Sequence, residues 1–253
     1  MSIIYFDCFS GISGDMIIGA LLDAGLPFRG LEEELAKLNL ANFQIKSEKV
    51  IKKGITATKF SVVTDEQQPH RHIGDIHKII QESSLEEPIQ ATVMKIFNRL
   101  AEAEGKIHGV SPEKIHFHEV GAVDAIVDIV GAVVSLHKMN ITKITASPLN
   151  IGGGWTHCMH GLIPVPAPAT LELLKGIPIY NGGVNRELVT PTGAAIISTL
   201  CQDFTDLPAM IPGQIGYGAG TAELRIPNAL RVIVGEEKHR HEHEHQHHKH
   251  THN

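Results

Sequence analysis

The stretch HFHEVGAVDAIVD carries the densest set of chemically capable side chains in the sequence: His116, His118, Glu119, Asp124 and Asp128. Side chains of an extended segment alternate between its faces, so His116 and His118 point the same way. Asp124 and Asp128 lie four apart and share one face of a helix. Two imidazoles leading into a helix that projects carboxylates from an apolar surface suit a divalent metal or a proton transfer. Burying a carboxylate beside Val, Ala and Ile is costly unless it finds a partner. The plainer alternative is that Asp124 or Asp128 pairs with a local donor and the histidines are core residues. Asp124, Asp128 and Glu119 are therefore candidate proton-transfer groups, and His116 and His118 candidate metal ligands.

Other histidines are bunched rather than scattered. PHRH places His70 and His72 on one side of an extended segment, with Asp75 and His77 close behind, unless it is a solvated loop. WTHCMHG sets His157, Cys158 and His160 in a Gly-flanked loop, where a thiolate among imidazoles would suit a soft or borderline metal. The chain ends in KHRHEHEHQHHKHTHN, with His239, His241, His243, His245, His247, His248, His250 and His252 interleaved with Glu, Gln, Lys and Arg. Nothing apolar there offsets the entropy of ordering, so the tail is expected to be disordered. A purification tag is ordinarily an uninterrupted His run. The mixed composition reads as a native metal-collecting segment, and imidazole suits nickel, copper and zinc.

Two turns could hold a phosphate. FSGISGD sets Ser10, Gly11, Ser13, Gly14 and Asp15 between the apolar run SIIYF and the helical pattern MIIGALLDAGL. Glycines let backbone N–H groups converge at a helix N-terminus, which favours anions. No Lys follows the glycines, so this is not a Walker motif. Capping by Asp15 or Ser13 is the alternative. LVTPTGAAII repeats the geometry with Thr190, Thr192 and Gly193 and with Pro191 suited to a first helical turn, where simple capping by Thr190 is again the alternative. Two such turns in one acidic chain raise the expectation of a phosphorylated ligand.

The elements that must position these groups are legible in outline. FQIKSEKVI and ITATKFSVV flank Lys52, Lys53 and Gly54 as an antiparallel hairpin. A helix is expected to begin near Ile73. Val93, Ile96, Phe97, Leu100 and Ala101 give an amphipathic helix over 89–107, and the residues after HFHEV form a helix apolar on most sides. The fold class is α/β, with a mixed sheet and flanking helices. Beyond Asn140 the sequence becomes richer in Gly and Pro, which suggests lobes 1–140 and 141–235 within one region 1–235, followed by the tail 236–253.

Composition excludes several classes. With 42% hydrophobic and 20% charged residues the chain is an ordinary globular protein, and its formal charge of −6 argues against nucleic acid or an anionic membrane as partner. No apolar run approaches the roughly 18 residues of a membrane helix, and no basic and apolar signal precedes the first strand. Cys8, Cys158 and Cys201 are far apart and form no CxxC pair, which points to a reduced, cytoplasmic protein without zinc fingers or disulfides.

FDCFSGISGDM, HRH with a following DI, AEAEGKIHG, HFHEVGAVDAIVDIVGA, HGLIPVPAPAT with LLKG, LVTPTGAA, and GYGAGT with PNALRV occur here in an order that resembles the nickel insertion proteins. Those proteins complete the nickel-pincer cofactor of lactate racemase. The likeness covers nearly all of 1–235. It implies insertion of nickel into a pyridinium bisthiocarboxylic acid mononucleotide, driven by CTP with a divalent cation. A lactate racemase-type apoenzyme is the implied acceptor of the product. Family members continue into a C-terminal domain that the resemblance credits with CTP binding, whereas here VIVGEE leads into the His-rich tail. A C-terminal CTP-binding domain or chain is therefore an expected partner. Two other classes compete: a nickel reservoir with no chemistry of its own, and a metal-dependent phosphate-ester hydrolase using a bound water.

Overall fold

The computed structural model describes residues 2–40, 42–64, 71–117, 122–158 and 161–237. His70, His118, Glu119, His160 and the eight tail histidines lie outside the described residues. In chain order the elements are β1 (Ser2–Asp7), α1 (Gly14–Asp23), α2 (Phe28–Leu35), β2 (Phe43–Lys52), β3 (Ile55–Thr64), β4 (Arg71–His72), α3 (Ile73–Gln81) and α4 (Glu87–His108). They continue with β5 (His116–Phe117), α5 (Val123–Lys138), β6 (Lys143–Ala146), β7 (Leu149–Asn150), β8 (Trp155–Cys158) and β9 (Gly161–Pro164). The last are α6 (Pro168–Leu173), β10 (Ile179–Tyr180), α7 (Pro191–Leu200), β11 (Asp203–Phe204), β12 (Met210–Ala219) and β13 (Ala229–Glu237).

Seven strands form one mixed sheet in the order β11-β6-β1-β13-β12-β3-β2. Strand β1 is parallel to β6 and antiparallel to β13, and β2 pairs with β3 as the expected hairpin, Phe43 opposite Thr64. Four consecutive residues of β1, Ile3, Ile4, Tyr5 and Phe6, are buried, the pattern of a strand covered on both faces. Helix α1 crosses β12 and β3 at close range because glycines line the crossing. A Cβ at Gly218 would run into the Met16 carbonyl, and one at Gly216 into the Ala20 carbonyl. Asp23 ties the far end of α1 to the sheet by accepting hydrogen bonds from Thr58 Oγ1 at 2.7 Å and Tyr217 N at 2.9 Å and by pairing with Lys49. Burial alone would raise this carboxyl, but together these partners hold it below the usual range.

Strands from both sides of Asn140 interleave, with β13 seated between β1 and β12. The expected division into lobes 1–140 and 141–235 does not separate two sheets, and one hydrophobic core runs from Ile4 to Val234. In GYGAGT the glycine content reflects the close approach of α1, not a domain boundary.

Candidate active site

Both sequence-predicted phosphate turns lie side by side at the C-terminal end of β1. Gly11, at φ 80°, closes the first turn by donating its N–H to the Cys8 carbonyl at 3.0 Å. A side chain at Gly11 would collide with the Leu188 carbonyl, so only glycine lets the second segment approach. Ile12 N then donates to Leu188 O at 2.9 Å and Thr190 N to Ile12 O at 3.2 Å, a parallel bridge between Ile12 and Val189. Helices α1 and α7 consequently start next to one another. Thr190 Oγ1 accepts from Gly193 N at 3.1 Å, with Pro191 and Thr192 in the first turn of α7. Ser10 is buried, and its hydroxyl has no hydrogen-bond partner among the described residues.

Asn150, which sequence reasoning missed, braces this platform from below. Its buried carboxamide donates to Phe9 O at 2.8 Å and accepts from Gly182 N at 2.9 Å and Gly152 N at 3.3 Å. One side chain thus ties the first turn to the loops that follow β7 and β10. No short-range pattern marks it, since two of its three partners, Phe9 and Gly182, are distant in sequence.

The carboxylates gather at the start of α1. Asp15 Oδ1 accepts from Met16 N at 2.9 Å and from the Ser13 hydroxyl, and Oδ2 pairs with the Lys59 ammonium. Lys59, also absent from the sequence reading, reaches over from β3 and donates to Thr221 Oγ1 at 2.8 Å. Asp128 packs directly against Gly14, where a Cβ would lie 2.6 Å from its Oδ2, and accepts the Asp15 backbone N–H. Desolvation, then the charges of Asp15 and Asp124, push the Asp128 carboxyl well above the usual carboxylate range, against the weaker opposing pull of Lys59 and the Asp15 N–H. The residue as a whole keeps intermediate exposure, but proton affinity follows the dense packing around the carboxyl, so Asp128 holds its proton more tightly than an ordinary carboxyl. Asp124, one helical turn earlier, is exposed and accepts only from its neighbour Ala125 N at 2.9 Å among the hydrogen bonds resolved.

The Thr190 cap is thus present as geometry, whereas Ser13 makes no side-chain cap bond and Asp15 accepts the Met16 N–H instead, so part of the donor set that an anion would use is engaged by the chain's own side chains. The two-stranded ladder of β4 and β5 makes His72 and His116 directly opposed register partners. The His72 backbone N–H donates to Asp75 Oδ2 at 2.8 Å, and its ring Nδ1 lies 3.2 Å from Ile115 O. His157 is exposed on β8, opposite Leu162, in a two-stranded ladder separate from the β4–β5 pair. Among the described residues no three His, Cys, Asp or Glu side chains stand together as a ready-made metal cage.

The nickel insertion protein family matches residues 4–252. This chain belongs to that family. A pyridinium-3,5-bisthiocarboxylic acid mononucleotide nickel insertion protein of Desulfitobacterium hafniense (strain DSM 10664 / DCB-2) is 52% identical over 236 residues, covering 93% of this chain and 59% of the relative. The protein of the same name from Geobacillus kaustophilus (strain HTA426) is 48% identical over 248 residues, covering 94% of this chain and 60% of that one. A putative nickel insertion protein of Dictyoglomus thermophilum is 47% identical over 236 residues, 93% of this chain and 61% of that one. The chain therefore spans about three fifths of the length of these family members. No solved structure matches it. Within the family region, no described helix is long and apolar enough to cross a membrane.

Proposed function

We propose that this chain inserts nickel into pyridinium-3,5-bisthiocarboxylic acid mononucleotide. The observation that carries the reading is the union, in a chain of this family, of two helix-initiating turns with a cluster of carboxyl groups, Asp15, Asp124 and Asp128. The mononucleotide phosphate is assigned to the paired turns, with Ser10, Gly11, Ser13 and Gly14 on one side and Thr190, Thr192 and Gly193 on the other. Asp15, first grouped with the phosphate turn, is here the ionised partner of Lys59.

Nickel is a substrate in this scheme. His72 and His116, held opposite each other, present it to the ligand, and the two thiocarboxylate sulfurs complete its donor set. Forming the nickel–carbon bond breaks a ring C–H bond, and the carbon keeps the electron pair while the proton leaves to a base. Asp124, exposed in the first turn of α5, accepts it, with Asp128, whose proton affinity is raised, one helical turn further on. Lys59 pairs with Asp15 beside them. His70, His118, Glu119 and His160 are further members of the proposed metal and proton-transfer set, and the histidines from His239 to His252 are assigned to nickel capture, as is His157 on its hairpin.

CTP and a divalent cation are assigned to the part of the relatives that lies beyond the match, and a lactate racemase-type apoenzyme to the product. The test combines the full chain, a C-terminal CTP-binding domain from such a relative, CTP, magnesium, nickel and the precursor, with the product read by mass. Gain of one nickel with loss of ring hydrogen is expected. Release of phosphate from simple esters by the chain alone, without nickel transfer, would replace this reading with the hydrolase.

A further inference from the structure

The chain has a single tryptophan, Trp155, and it is 65% exposed on the β8–β9 hairpin. In the β8–β9 ladder Trp155 opposes Pro164 and His157 opposes Leu162, so these four residues share one face. Leu162 on that face is 55% exposed, whereas Thr156 and Ile163 on the opposite face are half-buried. A large indole left in water forfeits the burial that normally fixes its place, and its π face is open to a ligand.

The hairpin is rooted on the phosphate platform. Gly152 sits so close to the Arg186 carbonyl and the Leu188 side chain that no side chain would fit, and its N–H is held by Asn150. Leu188 is the residue whose carbonyl receives Ile12 N. Gly154 O accepts Val165 N at 3.0 Å, which fixes where the two arms of the hairpin depart. Trp155 directly follows Gly154, so the indole stands at the root of the hairpin and not at its tip.

Resting on the proposed function, we infer that Trp155 is the stacking platform for a cationic aromatic ring, the pyridinium of the bound mononucleotide. A cation over a Trp face is the strongest of the aromatic–cation pairings, and a neutral ring would not gain from it.

The single tryptophan makes the test direct. The full 253-residue chain is titrated with a pyridinium-3-carboxylate mononucleotide, read in parallel by Trp fluorescence and by calorimetry, and then with the corresponding 1,4-dihydropyridine, whose ring is neutral and non-aromatic. Saturable quenching with the midpoint of the calorimetric isotherm is expected for the pyridinium compound. Trp155→Ala should weaken that binding on the order of tenfold and abolish the preference over the dihydropyridine, while Trp155→Phe retains most of both. Calorimetric binding without quenching, with Trp155→Ala equal to the parent, would overturn the platform and leave the phosphate-site reading standing. Binding of neither compound would overturn both. Quenching that follows chain concentration without ligand would assign the exposed face to self-association instead.

Discussion

Substituting Gly14 by Ala places a methyl group where Asp128 sits, with the new Cβ 2.6 Å from both Asp128 Cβ and Oδ2. Ordinary carbon contacts begin near 3.5 Å, so the overlap is about 1 Å and neither helix can yield without moving a neighbour. On the same α1–α5 interface Gly131 already lies against the Ile18 side chain, so a shift of α5 away from α1 disturbs a second tight contact. Overpacking of this kind costs about 1–3 kcal/mol, and the better helix propensity of Ala returns at most about 1 kcal/mol. The expected net loss is about 1–2 kcal/mol, or roughly 2–8 °C in Tm for a chain of this size. Urea titration should show a lower midpoint with an unchanged slope. Nickel insertion should fall further than stability explains, because Asp128 is pushed off the Asp15 N–H. Gly30→Ala is the internal control: a Cβ there meets nothing closer than 4.0 Å, and that substitution should be neutral or stabilising. A Gly14→Ala protein as stable and as active as the parent would refute the packing of Asp128 on the start of α1.

Three further outcomes follow from the same geometry. Asp128 binds its proton more tightly in the folded than in the unfolded chain, so the folded state holds the extra proton and stability falls as pH rises from about 4 towards the folded pKa, by about 1.4 kcal/mol per pH unit within that window. Asp128→Asn should flatten this slope in pH-dependent urea titrations and be the more stable protein at pH 7; an unchanged slope would contradict a proton-holding Asp128. Asn150→Ala removes three buried hydrogen bonds at the base of the turns and should cost at least about 2 kcal/mol in thermal or urea unfolding. His72→Ala with His116→Ala, in a chain truncated after Glu237, should weaken nickel binding at least about tenfold by calorimetry, whereas equal affinity would place the metal elsewhere.

Much of the local architecture is written in short-range pattern. Apolar alternation and turn residues marked β1, the β2–β3 hairpin and the start of α3 at Ile73, and the four-residue spacing correctly placed Asp124 and Asp128 on one helix. What the sequence hid is tertiary. Lys59 pairs with Asp15 from 44 residues away, and Ile12 meets Val189 across a still longer separation, so no window of sequence contains either contact. The Gly and Pro enrichment beyond Asn140 looked like a boundary because composition cannot distinguish a glycine that loosens a chain from one that lets a helix lie on a strand. Gly216 and Gly218 are the second kind. Asn150 was silent for the reason Lys59 was, since a buried carboxamide is recognised by its partners and not by its neighbours in sequence.

The most direct measurement is the single-turnover rate of nickel–carbon bond formation by the chain truncated after Glu237, supplied with precursor, nickel, CTP, magnesium and the C-terminal domain of a relative, beside its Asp124→Asn counterpart. Truncation should leave the rate nearly intact at saturating nickel, and Asp124→Asn should lower it about a hundredfold or more, the scale of a lost general base. A rate lost with the tail, or one that Asp124→Asn leaves untouched, would contradict proton transfer at the carboxylate group beside the paired turns.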